Sequence, residues 1–321
     1  MSSVVRRLST DFRVSPDFFR RLKAPRPRRS ALYLPGSNAR ALQKARELPA
    51  DVVILDLEDA VSPDNKALAR SQVVDALRAS GTFGSREVVV RINSLDTEWG
   101  MEDIRSLADP GLHLSAVLLP KAESVEAVAL ADDELAKPVG GSGRGSGVPI
   151  WCMVETPLGV LRAESLAADP RVGCLVAGTS DLSTDLRCDG AWEGRAALLH
   201  SLSHTVLAAR AAGIAVLDGV HLDIKDLAGF EASCVQGRAL GFDGKTLIHP
   251  STIGIANTVF APSASEVARA RRVIAAFEEA AAAGSALAVL DGKLIEQLHV
   301  RESERLLALA SAIEDAEASG S

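Results

Sequence analysis

Val52-Val53-Ile54-Leu55-Asp56-Leu57-Glu58-Asp59 is an apolar run that ends in three carboxylates. A continuous run rich in Val and Ile suits a parallel strand covered on both faces. Charges gathered at the C-terminal end of such a strand suit a site assembled at the mouth of an α/β barrel. Seven further runs repeat the pattern, at residues 31–35, 88–93, 116–121, 148–156, 174–181, 214–218 and 245–249. Between most of them lies helical spacing, as in Ala69, Val73, Ala76 and Leu77, or Leu198, Leu202, Val206 and Ala209. Ser62-Pro63 supplies an N-cap followed by proline at the first helical position. Eight strands alternating with helices predict a TIM-type (β/α)8 barrel over residues 30–260, close to the usual ~250 residues. An open doubly wound sheet is the alternative, and no run is followed by the Gly-rich dinucleotide fingerprint it would need.

Composition fits a soluble globular protein. The chain has 321 residues and is 47% hydrophobic but only 4% aromatic, so its core should be aliphatic. No apolar stretch approaches the ~20 residues that cross a bilayer. Cys152, Cys174, Cys188 and Cys234 lack CxxC pairing, which favours free thiols and a cytoplasmic location.

Charge is uneven. Residues 1–29, a basic N-terminal arm, hold nine Lys/Arg (Arg6, Arg7, Arg13, Arg20, Arg21, Lys23, Arg26, Arg28 and Arg29) and two acids. The arm could bind an anionic ligand, direct the chain to an organelle, or pack as a solvated arm on the barrel or another subunit; Asp11 and Asp17 count against targeting. The acidic body and the missing basic stripe with aromatics exclude nucleic acid. Residues 137–147 form a Gly/Ser-rich loop without phosphate-loop spacing. Residues 261–321 read as a C-terminal helical extension. It comprises a helix over 263–283 with Ser263 and Glu266 as a capping box, a turn at Asp291-Gly292, and a second helix over about 296–318.

The chemistry lies in polar strand ends. Glu155 and Asp181 close the fifth and sixth runs, which neighbour each other in a barrel, so two carboxylates converge. Such a pair with open positions suits octahedral Mg²⁺; alternatively each carboxylate caps the helix that follows. Arg91 can clamp a substrate carboxylate in a fork or pair with Asp56, Glu58 or Asp59. Lys121, amid carboxylates, is a supporting charge rather than a Schiff-base lysine. His249, before Pro250, is an acid/base or a hydrogen-bond partner.

Leu55-Asp56-Leu57-Glu58-Asp59-Ala60-Val61 with Lys66 and Arg70, Val90-Arg91-Ile92-Asn93, Leu119-Pro120-Lys121, Val154-Glu155-Thr156 with Gly159, Gly178-Thr179-Ser180-Asp181-Leu182 and the stretch from Gly241 to Pro250 occur in order. Together they resemble the citrate lyase β-subunit/malyl-CoA lyase family over nearly the whole chain. The resemblance implies Glu155 and Asp181 as Mg²⁺ ligands and Arg91 and Glu155 as substrate contacts. It implies Glu58, Asp59 and Lys121 as support for metal-bound water and Arg91. Residues 292–300 look like the C-terminal segment that covers a neighbouring subunit's site, with Glu296 as acid/base, in a homo-oligomer such as a trimer or hexamer. Glu296 stands where many relatives carry Asp, and Ser180 where many carry Glu; both departures bear on substrate choice.

The resemblance also implies the activity. It is a Mg²⁺-dependent carbon–carbon lyase that cleaves a 3-hydroxyacyl-CoA of the malyl-, citramalyl- or citryl-CoA type to acetyl- or acyl-CoA and a 2-keto acid. Alternatives are an aldolase of free 2-keto acids, a malyl-CoA thioesterase, a citrate lyase complex subunit acting on a carrier-protein thioester, and a non-catalytic scaffold. A phosphosugar isomerase is disfavoured, because the loops after runs seven and eight lack a Gly-rich phosphate cradle.

Overall fold

The computed structural model describes residues 26–78, 83–137, 147–191, 194–283, 285 and 287–319. Eight parallel strands close into a barrel in sequence order: β1 (Ser30–Pro35), β2 (Val52–Asp56), β3 (Glu87–Arg91), β4 (Ala116–Leu119), β5 (Ile150–Val154), β6 (Val172–Ala177), β7 (Ala215–Asp218) and β8 (Gly244–Leu247). β8 pairs with β1 through Ala31 and Thr246, so no sheet edge remains. Each of the eight predicted runs overlaps one strand, because residues buried on both faces read as continuous apolar stretches.

Side-chain alternation separates two apolar layers. Ala31, Ile54, Val89, Leu118, Trp151 and Val176 fill the barrel interior. Leu32, Val53, Leu55, Val90, Val117 and Leu175 point outward against the helices. Those helices are α1 (Ala39–Lys44), α2 (Lys66–Arg78), α3 (Gly100–Ser106), α4 (Val125–Ala136), α5 (Pro157–Leu161), α6 (Ala163–Ala168), α7 (Thr179–Leu186), α8 (Leu199–Ala212), α9 (Leu227–Leu240) and α10 (Ile253–Phe260). Ala69, Val73, Ala76 and Leu77 form the buried stripe of α2, and Leu202, Val206 and Ala209 part of that of α8. Burying one such aliphatic side chain contributes about 1.5–3 kcal/mol. Ser62 precedes a 3₁₀ turn with Pro63 at its start, but makes no side-chain cap bond.

The barrel floor is sealed by the first described residues. Arg28 pairs with Glu87 and lies 4.8 Å from the centre of the Trp151 ring. Arg29 forks onto Asp51. Arg26, Arg28 and Arg29 thus pack on the barrel, while the rest of the predicted arm lies outside the described residues, as do residues 138–146 of the Gly/Ser-rich loop.

Beyond the barrel come α11 (Ala264–Ala282) and α12 (Gln297–Ser319). Ser263 and Glu266 form the predicted capping box. The predicted turn proves to be the tip of an antiparallel hairpin, β9 (Ala288–Leu290) with β10 (Lys293–Ile295), so the extension is not purely helical. Asp291 and Gly292 take φ of 49° and 73°, positive at both central residues as a hairpin-compatible type I′ turn requires. The far end of α12 is pinned to the barrel floor, where Glu317 Oε1 accepts from Arg29 Nη1 at 3.0 Å. No described helix is long and apolar enough to cross a membrane.

Candidate active site

The C-terminal ends of β2 and β3 build one charge cluster. Their register sets Asp56 beside Arg91. Arg91 donates from Nε and Nη2 to the two oxygens of Asp56 at 2.7 and 2.6 Å, a bidentate fork in which Asp56 is fully buried. Its Nη1 lies 2.8 Å from Glu58 Oε2 and 3.4 Å from Asp59 Oδ2. The ion-pair reading of Arg91 is therefore what the chain itself shows, and three carboxylates share one guanidinium. Burial pushes the Glu58 carboxyl up to about 8 against the pull of Arg91, with the charges of Asp59, Glu155 and Asp56 adding to the rise.

A second layer fixes the turn that carries Glu58. Lys66 Nζ, buried under the Trp99 ring, donates to the carbonyls of Leu57 at 2.8 Å and Glu58 at 2.7 Å. Asn93 Nδ2 donates to the same Leu57 carbonyl at 2.9 Å, and Asp103 in turn receives Asn93 and Arg70. Lys66 and Arg70, named in the sequence only as part of the motif set that carries the resemblance, prove to be braces. Asp103 carried no sequence signal, because its partners lie ten and 33 residues away.

Glu155 follows β5 directly and is 3% exposed. Its Oε1 accepts the Lys121 backbone N–H at 2.7 Å. Lys121 holds φ of 46°, a left-handed conformation uncommon for a side-chain-bearing residue, and this turn aims its N–H at the carboxylate. Lys121 Nζ reaches Asp181 Oδ2 at 3.5 Å. Burial works to lower the Lys121 ammonium, and Asp181, Glu58 and Glu155 outweigh it, holding it above its usual range. Burial pushes Glu155 up to about 7, with Lys121 N–H opposing and Asp181 reinforcing. Asp181 does not end a strand. It lies in the first turn of α7, four residues beyond β6, because Gly178 already leaves the strand as N-cap of that helix. Gly178 has a packing reason: a Cβ there would stand 2.3 Å from Glu155 Cβ and 2.5 Å from Oε2.

The structure thus brings Arg91, Glu58, Asp59, Lys121, Glu155 and Asp181 to one mouth. Glu296 stands apart within this chain, exposed beside the start of α12, its N–H donated to His299 Nδ1. His249 Nδ1 accepts from the Ser251 N–H at 3.2 Å, the hydrogen-bonding role. Thr156, not Glu155, caps α5. Cys152, Cys174, Cys188 and Cys234 are all free thiols.

Among the described residues no three His, Cys, Asp or Glu side chains are placed to hold one metal ion. The pair Glu155 and Asp181 nevertheless fits a hard divalent cation. Two acids share one lysine, Asp181 raises the affinity of Glu155 for positive charge, and no described residue hydrogen-bonds Glu155 Oε2. Such an ion takes its remaining oxygens from water and substrate.

Comparison with known proteins places the chain in a family. The family model HpcH/HpaI aldolase/citrate lyase matches residues 29–250. A (3S)-malyl-CoA thioesterase of Cereibacter sphaeroides is 45% identical over 287 residues, covering 89% of this chain and 96% of that protein. Citrate lyase subunit beta of Escherichia coli is 36% identical over 273 residues, covering 84% and 89%. CitE of Mycobacterium tuberculosis, solved in complex with magnesium, acetoacetate and coenzyme A, superposes with a TM-score of 0.71 at 30% identity, covering 90% of this chain and all of that one. From the match across its barrel and the identity to these relatives, the chain belongs to the HpcH/HpaI aldolase/citrate lyase family of enzymes.

Proposed function

We propose that this protein is a Mg²⁺-dependent carbon–carbon lyase of a 3-hydroxyacyl-CoA of the malyl-, citramalyl- or citryl-CoA type. The observation that carries the reading is the carboxylate excess at the mouth: five acids, Asp56, Glu58, Asp59, Glu155 and Asp181, stand around three cations, Arg91, Lys121 and Lys66. Magnesium, acetoacetate and coenzyme A in the M. tuberculosis relative support it.

Glu155 and Asp181 would hold the ion, which supplies Lewis-acid polarisation of a substrate oxygen. Breaking the C2–C3 bond removes the hydroxyl proton, turns C3 into a carbonyl, and sends the bonding pair toward the thioester as an enolate. Arg91, preorganised by Asp56, stabilises negative charge developing at the substrate. Glu58, whose Oε2 faces Arg91 Nη1 at 2.8 Å and whose carboxyl is raised to about 8, would carry a proton near neutrality on its other oxygen and exchange it with the reacting centre. Lys121 orients Glu155 through its backbone and Asp181 through its ammonium.

Glu296 serves the mouth of a second copy in a homo-oligomer. Support comes from Leu287, Val289, Leu294 and Leu298, all more than 40% exposed on the hairpin and the start of α12, an apolar face suited to covering. A mixture of inactive Glu296→Ala and Arg91→Ala proteins would then regain activity, because mixed oligomers contain intact sites.

Hydrolysis of the thioester is a second reading, favoured by the 45% identical malyl-CoA thioesterase. Incubation with malyl-, citramalyl- and citryl-CoA, with Mg²⁺ and with EDTA, separates the two. Metal-dependent acetyl-CoA plus a keto acid supports the lyase; free CoA plus the intact hydroxy acid supports hydrolysis. Silence across the panel overturns the CoA-ester reading.

A further inference from the structure

At the mouth, Tyr33 Oη and Arg91 Nη1 converge on the Met153 sulfur, and Nη1 also lies 2.8 Å from Glu58 Oε2 and 3.4 Å from Asp59 Oδ2. Tyr33, the chain's only tyrosine, faces into the barrel from β1 beside the apolar interior. In a closed barrel such a side chain reaches solvent only through an open end, and Tyr33 remains partly exposed. Its ring lies against the Arg91 guanidinium, 4.8 Å from Cζ to the ring centre. Its hydroxyl donates to Met153 Sδ at 3.6 Å, and Arg91 Nη1 points at the same sulfur from 3.9 Å. A thioether is a weak acceptor, and it sits on an unbranched side chain that shifts readily. Asp56 occupies the other edge of the guanidinium. Burial raises the Tyr33 hydroxyl above the ordinary phenol range, so it remains a donor.

We infer that Tyr33 Oη and Arg91 Nη1 form an oxyanion-binding pair, with the Met153 sulfur as a placeholder that a substrate oxygen displaces. The ligand class is a small dianionic or enolate-like oxygen acid, chelated beside Glu155, which lies two residues along from Met153. The inference deepens the proposed lyase reading and rests on it for the identity of that oxygen. In cleavage, the C3 hydroxyl gives up its proton, and its oxygen becomes the carbonyl oxygen of the small keto acid as the C2–C3 electron pair leaves toward the thioester. A neutral phenol plus a guanidinium would face the charge on that small acid's oxygen.

Oxalate with Mg²⁺ is the probe, because its binding needs no turnover. Calorimetry should show Tyr33→Phe, which keeps the ring on Arg91 and loses only the hydroxyl, binding oxalate about tenfold or more weakly than the wild type, as expected for a hydrogen bond to a charged group. In the unmodified protein, oxalate should red-shift the absorbance of the sole tyrosine near 290 nm, a signal absent in Tyr33→Phe. Equal affinities, no tyrosine signal, or no oxalate binding by the wild type would each overturn the pair. A Tyr33-dependent oxalate site in a protein inactive on every CoA ester would instead sustain the pair and sink the lyase reading.

Discussion

Two ionic clusters flank the ends of barrel strands, one partly open and one buried, built to opposite charge ratios. At the mouth, three carboxylates share Arg91 and two more share Lys121. Behind β7 and β8, one carboxylate serves two cations: Asp218 Oδ2 accepts from Lys245 Nζ at 2.8 Å, and its Oδ1 accepts from Arg195 Nη1 at 2.7 Å. Asp218 and Lys245 are both 0% exposed, between the sheet and α9, where a Cβ on Gly237 would meet Asp218 Oδ2 at 2.7 Å. Burial would raise Asp218, and Lys245 and Arg195 overcome it, holding the carboxyl below its usual range. Glu58 and Glu155 move the other way. The rear cluster is complete as folded. The mouth is short of positive charge, and a cation and a polar substrate would complete it.

Four experiments press on this contrast. Glu155→Ala should reduce turnover by about 10³-fold or more, since an ion that stabilises charge by several kcal/mol loses a ligand. Mg²⁺ calorimetry should show the same loss, and undiminished metal affinity would place the ion elsewhere. Asp218→Asn should destabilise the fold by about 3–5 kcal/mol in urea unfolding by leaving buried cations uncompensated, while folded protein keeps its turnover; a loss below about 1 kcal/mol would make the rear cluster dispensable. Arg91→Lys should lower kcat/KM by about 10²-fold, because an ammonium cannot fork onto Asp56 and still reach Glu58.

The smallest effect concerns pH. Glu58 has a folded-state pKa raised to about 8, so the folded chain holds its proton more tightly than the unfolded chain does. That contribution to stability is complete below the ordinary carboxylate range and disappears as pH rises through about 8. Metal-free wild type should therefore lose melting temperature over this window, and Glu58→Gln should lose less. Parallel curves would mean that Glu58 is not held neutral.

The barrel was legible because its strands are buried on both faces, so the Val52–Asp56 type of run needs no partner to be recognised. The mouth was legible in outline because charges at strand ends have few structural excuses. Three kinds of feature were not. Asp218, Lys245 and Arg195 join residues 23 and 27 positions apart, and nothing local marks a lysine at the start of β8 as fully buried. The left-handed turn at Lys121 depends on Glu155 as an acceptor, which only the closed barrel brings near. Tyr33 read as one more apolar strand residue, since its inward direction depends on register. The hairpin β9–β10 was within reach: Asp291-Gly292 between Ala-Val-Leu and Lys-Leu-Ile is a turn signal that the adjoining long helices obscured.

Helix α12 is moored at its far end by Glu317 on Arg29, while Glu296 sits just before its first residue. Twenty-three residues at 1.5 Å each make a boom about 34 Å long. Its length, rather than any loop, then sets how far from its own barrel floor the chain presents Glu296. Removing one turn from the middle of the boom would retract that carboxylate by about 5.4 Å along the axis and leave the barrel untouched.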